Sequence, residues 1–431
     1  MFYTIVYSKY GGAHLQNPVV TVPEILLPKD ADLSKWAVIA CDQYTSQPEY
    51  WEELKTSVGR QPSTLRMVLP EVYLDEPDYD NRVKNIHRTM KNYLSRDMFE
   101  THKGFVYVRR EVAGRVRHGL VIAVDLEQYD YAPDSTSKIR ATEETIVERI
   151  PARVEIRRKA VLDIPHIMLL IDDKTSTVFG LLKKNYKQLE KLYDFKLYGG
   201  ERIEGYLVNE TDAVISAFEN LLKSRKHGIM FAMGDGNHSL AAAKALYEEQ
   251  KAKGEDVSRL RYALAEVVNI YDPALAFESI NRVLFGMPEY GLTRIRELIN
   301  QYPGASAEIQ TFSKREYMEE EYAKTPGLIR MCTQHGYMTM DIHGVDDTLA
   351  PLQRALDVFL RECNAKIDYV HGDDVAFDLG AKPGNMCFVL APFDKSELFK
   401  RIKNGPLPRK AFSMGGAESK RYYLECKKLT D

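Results

Sequence analysis

Residues 228–247 read GIMFAMGDGNHSLAAAKALY, and the fold turns on that stretch. Gly228 to Met233 is an apolar run of strand length, whereas Ser239 to Tyr247 is rich in strong helix formers. Between them lies Gly234-Asp235-Gly236-Asn237-His238-Ser239, so the expected order is strand, glycine-containing turn, helix, with Ser239 as N-cap. The first N–H groups of a helix have no intrahelical partner and sit at the positive end of its dipole, so they can hold an anion. Gly234 and Gly236 permit positive φ and close approach of a ligand. Asn237 and His238 add side-chain donors, and Asp235 has the chemistry to hold Mg²⁺ or orient a hydroxyl. Two readings stand side by side: an anion site, most naturally for nucleotide phosphate, or an ordinary capped turn, in which Asp, Gly and Asn recur. The segment matches neither GxxxxGK[ST] nor GxGxxG, which argues against a P-loop kinase or a Rossmann enzyme.

Outward from this turn, strand-like and helix-like patterns alternate along the whole chain. Strands are expected at Trp36 to Ala40, Leu65 to Leu69, Gly104 to Arg109, Leu120 to Asp125, Ile167 to Ile171, Ile229 to Met233, Ala263 to Ile270 and Met386 to Ala391. Helices are expected at Glu49 to Val58, Asn81 to Leu94, Glu143 to Val161, Asp212 to Lys226, Leu240 to Lys253, Leu349 to Glu362 and Lys395 to Lys403. Asp394 is suited to cap the last of these. The class is α+β, a mixed α/β architecture without fixed-period repeats. If the chain divides, the expected lobes are 1–226 and 227–431, the second carrying the central turn.

Composition narrows the function classes. The 431 residues carry a formal charge of −3, 44% hydrophobic and 28% charged residues, an ordinary globular balance. Such a charge gives no general reason to bind nucleic acid or an anionic membrane. The five cysteines, Cys41, Cys332, Cys363, Cys387 and Cys426, are dispersed with no CxxC pair, which suits reduced thiols in the cytoplasm. Met1 to Tyr10 lacks the basic and apolar regions of a signal peptide, and no run approaches the ~20 apolar residues of a membrane span.

Other segments carry polar chemistry. Cys41-Asp42-Gln43-Tyr44-Thr45-Ser46 follows an apolar run, so Asp42, Gln43 and Thr45 are expected to bind a small polar substrate or a metal, or else to form a capping loop. Cys41 beside a carboxylate has little reason to become a thiolate nucleophile. His371-Gly372-Asp373-Asp374 lacks a second His at i+4 or a nearby Cys, so it makes a poor metal motif.

Trp36 to Leu54 (WAVIACDQYTSQPEYWEEL), Pro62 to Leu74 (PSTLRMVLPEVYL) and Gly234 to Ala243 (GDGNHSLAAA) resemble the DUF1015 family, an uncharacterised family of bacteria and archaea. Where this chain has Asp235-Gly236-Asn237-His238-Ser239, most members carry Asp-Gly-His-His-Arg. That motif is in turn similar to the one of the ParB and sulfiredoxin-like superfamily, which includes free-serine kinases using ADP or ATP. The resemblance implies a ParB/sulfiredoxin-like nucleotide-binding core with added strands and helices. It further implies that Asp235, Gly236, Asn237 and His238 bind the phosphates; Gly234 and Ser239 are expected to complete that cofactor site, and Asp235 and His238 to take part in the chemistry. Glu143, in Arg140-Ala141-Thr142-Glu143-Glu144-Thr145, falls at the family's His-Glu-x-Thr and would be the general base. Arg282 falls at the family's His-Arg and would clamp phosphate. Lys410, in Leu407-Pro408-Arg409-Lys410, falls at Met-Pro-x-Lys-Ser and would neutralise phosphate. Ser239 replaces the family's Arg and Asn237 its first His, so the compensating cation must come from elsewhere.

These readings imply a kinase that uses ATP or ADP with Mg²⁺ on a small-molecule hydroxyl, such as that of free serine. A nucleotide- or metabolite-binding regulator and a phosphate-ester hydrolase are alternatives, and a DNA-binding protein is the less expected one. Oligomeric state is not legible.

Overall fold

A computed structural model describes residues 18–45 and 47–430. Met1 to Tyr10 and Ser46, both invoked above, lie outside the described residues.

The strand at the central turn belongs to a ten-stranded mixed sheet. Along the sheet the order is Glu190–Lys196, Arg202–Val208, Phe105–Val112, Arg115–Asp125, Tyr262–Asn269, Met168–Ile171, Phe231–Asp235, Ile139–Arg140 and Tyr129–Asp130. Val20–Thr21 adds to Arg115–Asp125. Most neighbours are antiparallel, but Met168–Ile171 runs parallel to Tyr262–Asn269, and Ile139–Arg140 is parallel to both its neighbours. The central strands are apolar on both faces, as expected where both are covered. A second, six-stranded antiparallel sheet is built from Asn281 to Val389. The mixed α/β class expected from the sequence is therefore present. The expected lobe boundary after 226 falls among elements of the larger sheet, which takes strands from both sides of it.

Three clusters clothe the large sheet. One face packs on Phe218 of helix Asp212–Ser224 and on Leu240 and Tyr247 of helix Asn237–Ala252. Another cluster gathers helices Pro48–Val58 and Tyr79–Ser95 with the C-terminal residues Tyr422 to Leu429. A third joins Leu170 and Val268 of the large sheet to Met331 and Phe388 of the small one, so the sheets share a core.

Several elements differ from expectation for local reasons. Trp36 to Ala40 is not one strand: Asp32 caps a turn of helix at Leu33–Trp36, and only Val38–Ile39 pairs, with Tyr422–Tyr423. Leu65 to Leu69 is a 3-10 turn and loop, because Ser63 caps Leu65 and Thr64 Oγ1 donates to Trp36 O at 2.8 Å. The helix expected from Glu143 starts only at Ile150, with Pro151 in its first turn, the place a proline tolerates. Residues 143–146 are consequently outside the helix, and Glu143 forms a parallel bridge with Leu407. The segment after Asp394, which does cap, is a short α-helix between two 3-10 turns. Leu349–Glu362 forms as expected.

Candidate active site

The central turn opens into a cavity of about 1630 Å³. Gly236, not Ser239, caps the helix: it lies at φ 74° with the helix running Asn237–Ala252. An L residue is strained there, and a Cβ on Gly236 would stand 3.0 Å from Ile167 Cα. The intrahelical ladder begins with Leu240 N–H donating to Gly236 O at 3.0 Å, which leaves the N–H groups of Asn237, His238 and Ser239 as the helix's unpaired donors. Gly234 answers to packing, since a Cβ would sit 3.1–3.2 Å from Leu170, Met414 and Met168 O.

Asn237 ties this turn to the extended segment beside it. Its Nδ2 donates to Thr145 Oγ1 at 2.9 Å and approaches Glu143 O at 3.5 Å, while Thr142 Oγ1 donates to Met233 O at 2.8 Å. Glu143 thereby reaches the cavity wall. Its carboxylate accepts the N–H of Lys410 at 3.2 Å and of Ala411 at 3.1 Å. Lys410 adopts φ 60°, an uncommon conformation for a non-glycine residue and one often stored at functional loops. Burial pushes the Glu143 carboxyl above its ordinary value of 4.5, against the pull of these amides.

Asp42 faces the turn from the loop after Val38–Ile39. Gln43 Nε2 donates to it at 3.0 Å, and His166 Nε2 lies 3.7 Å from its other oxygen. Burial raises the Asp42 carboxyl, but His166 and Gln43 outweigh it and hold it below the usual range. His166 is reciprocally raised above 6.5, since Asp42 overcomes the effect of burial. Each partner therefore favours the charged form of the other. The contribution of Asp42 to stability is complete above 3.8 and is lost as pH falls through its depressed value; that of His166 is complete below 6.5 and is lost as pH rises through its raised one. Asp42→Asn should therefore drop the His166 pKa below 6.5, as burial then dominates. Histidine NMR titration checks this, and an unmoved His166 would contradict the pairing.

Asp235 has one oxygen on Gly236 N–H at 2.9 Å, while Oδ2 is buried without a hydrogen-bond partner, 3.9 Å from Lys420 Nζ. Burial raises its carboxyl, opposed first by Lys420. His238 is pushed down to about 4 by burial and by Arg153 and Arg149, so it is a neutral imidazole with a buried, unpartnered Nε2.

The cavity thus brings together Asp42, Gln43, Thr45, Glu143, Lys410 and all six residues of the turn. Arg282 is not among them. It is fully buried, its guanidinium held by Gln353 Oε1 at 3.2 Å, by Ile280 O and by Arg409 O at 3.3 Å, so it braces the 409–412 loop instead of clamping a ligand. Sequence reasoning missed Lys420, Arg149 and Arg153, which supply the local positive charge that Ser239 and Asn237 do not, and His166, which faces Asp42. The one signal for His166 is its place, with Pro165, directly before the apolar run of a central strand. In His371-Gly372-Asp373-Asp374, Asp373 pairs with Arg330 at 2.6 Å and Asp374 with Arg315 at 2.7 Å. Among the described residues no helix is long and apolar enough to cross a membrane.

Residues 24–359 match the model of a family described as a protein of unknown function, DUF1015. No curated protein matches the chain. Among solved structures, a mutant free serine kinase in complex with AMP overlaps 72% of this chain and 92% of its own, at 10% identity and a TM-score of 0.42. A conserved hypothetical protein from Pyrococcus furiosus overlaps 72% and 95%, at 12% identity and a TM-score of 0.36. SbnI with a C-terminal truncation, from Staphylococcus aureus, overlaps 70% and 85%, at 10% identity and a TM-score of 0.39. Likenesses this loose carry no argument about what the chain does.

Proposed function

The chain belongs to the DUF1015 family, whose membership brings no activity with it, and from the chemistry of its cavity we propose a nucleotide-dependent phosphotransferase acting on a hydroxyl of a small polar molecule such as free serine. The observation that carries this reading is the juxtaposition of two things: unpaired amides at the Gly236-capped helix start, and a half-buried, amide-oriented carboxylate, Glu143, beside them. Phosphoryl transfer needs positioning and charge stabilisation more than covalent help.

The Asn237, His238 and Ser239 amides bind the phosphates, with Lys420, Arg149 and Arg153 offsetting their charge. Neutral His238 serves as a hydrogen-bond partner, not as a cation. Asp42, held ionised by His166 and flanked by Gln43 and Thr45, binds polar groups of the acceptor. Glu143 takes the hydroxyl proton as the acceptor oxygen bonds to the terminal phosphorus and the bond from that phosphorus to the nucleotide's bridging oxygen breaks. The raised pKa of Glu143 suits a base. Mg²⁺ fits the Asp235 oxygen that accepts no hydrogen bond, since this ion takes one or two carboxylates together with phosphate and water, and it would supply charge neutralisation.

The test is to incubate the protein with Mg²⁺, ATP or ADP and a panel of hydroxy amino acids, following ³¹P NMR. A new phosphomonoester resonance is expected. Nucleotide hydrolysis with no phosphorylated acceptor would make the protein a hydrolase, and binding without turnover would make it a regulator.

A further inference from the structure

The cavity is larger than a triphosphate and a small acceptor require; ligand pockets commonly hold about 300–1,000 Å³. Contacts along its wall give it an order. The Glu143 carboxylate binds the 410–411 amides at one side of the turn. Arg149 and Arg153 act on His238, and Arg153 pairs with Glu71. The lining also includes an apolar group, Met67, Leu69, Leu74, Met90, Ala160 and Leu162, with Asp75, Glu155 and Arg157 at its rim. Tyr79, half-buried at the first turn of helix Tyr79–Ser95, edges this end and anchors its hydroxyl on Ala152 O at 3.4 Å.

This end also offers polar recognition. Among the described residues, the backbone of Val68 and of Leu69 makes no hydrogen bond, although both residues line the cavity and Leu69 is buried. An apolar slot, an aromatic edge and free backbone donors and acceptors, reached past a row of arginines, match one ligand chemistry: a flat heteroaromatic ring joined to phosphates.

We infer that the crevice between the Met67–Leu74 segment and Ala160 is the nucleobase subsite, with the base against Tyr79 and its edge on the backbone of Val68 and Leu69. This inference rests on the nucleotide reading above. A base contributes through stacking and burial, typically about 10-fold or more in affinity.

The experiment is calorimetry on the full chain with Mg²⁺ and either ATP or tripolyphosphate, using wild type, Ala160→Phe and Tyr79→Ala. Ala160→Phe fills the slot; Tyr79→Ala removes the edge from a half-buried position and stands in if the first variant does not fold. Wild type should bind ATP about 10-fold or more tighter than tripolyphosphate. The variants should lose that advantage while holding tripolyphosphate as before. Equal wild-type affinity for the two ligands, or variants that bind ATP normally, overturns the subsite and leaves the phosphate site standing. If neither ligand binds wild type, the nucleotide reading itself falls and the subsite with it.

Discussion

Glu143→Gln is expected to bind nucleotide as the wild type does and to transfer phosphoryl about 10²–10⁴ times more slowly, the range for loss of a positioned general base. The substitution keeps shape and removes basicity. It also has a structural cost, because the carboxylate accepts from both Lys410 and Ala411, and an amide offers only one oxygen. One loop N–H is left unpaired, costing about 1–3 kcal/mol. The pH profile separates the two effects. A base must be deprotonated, so wild-type activity falls as pH drops through the raised Glu143 value, and the variant should lose that limb. Stability moves the other way. A carboxyl raised above its ordinary value contributes fully below 4.5, and that contribution is lost as pH rises through the folded-state value. A variant that keeps the wild-type acid limb and rate would show that Glu143 only fastens the 409–412 loop.

Gly236→Val should abolish phosphate binding, with a loss of about 100-fold or more. A β-branched residue at φ 74° is strained by about 1–2 kcal/mol, and its Cβ meets Ile167 Cα at 3.0 Å, so the helix start must shift. A displacement near 1 Å at a positioned group is worth about 10² in function. Gly254→Val is the matched control. Gly254 lies at φ 76° just beyond the same helix, with nothing near its would-be Cβ, and it does not line the cavity. It should lower stability and leave binding intact. Equal binding losses in both variants would mean that general destabilisation is responsible.

The parts of the fold written in local pattern were legible from sequence. The strand before the turn, the helix after it and helix Leu349–Glu362 follow from hydrophobic period and propensity alone. The cap was misread because Ser239 looks the better N-cap by side chain, whereas Gly236 wins by conformation: the chain must turn at positive φ against Ile167. Trp36 to Ala40 was misread because tertiary partners decide it; the Trp36 indole donates to Leu424 O at 2.9 Å, a contact no local pattern announces.

The site divides the same way. Asp42 and Asp235 stood out as polar residues at the ends of apolar runs and Glu143 through the family resemblance, and the cavity gathers them. Arg282 looked like a clamp by residue type but is consumed in bracing the Arg409 loop. His166 and Lys420 matter only through neighbours distant in sequence, Asp42 and Asp235.

The central claim is that the amides at the Gly236-capped helix start hold nucleotide phosphates. Calorimetric titration of Mg²⁺ with ADP or ATP into wild type and Gly236→Val tests it most directly. Saturable one-to-one binding to wild type and a loss of about 100-fold or more in the variant are expected. Absence of binding to wild type at millimolar nucleotide, or binding of equal strength in Gly236→Val, would contradict it.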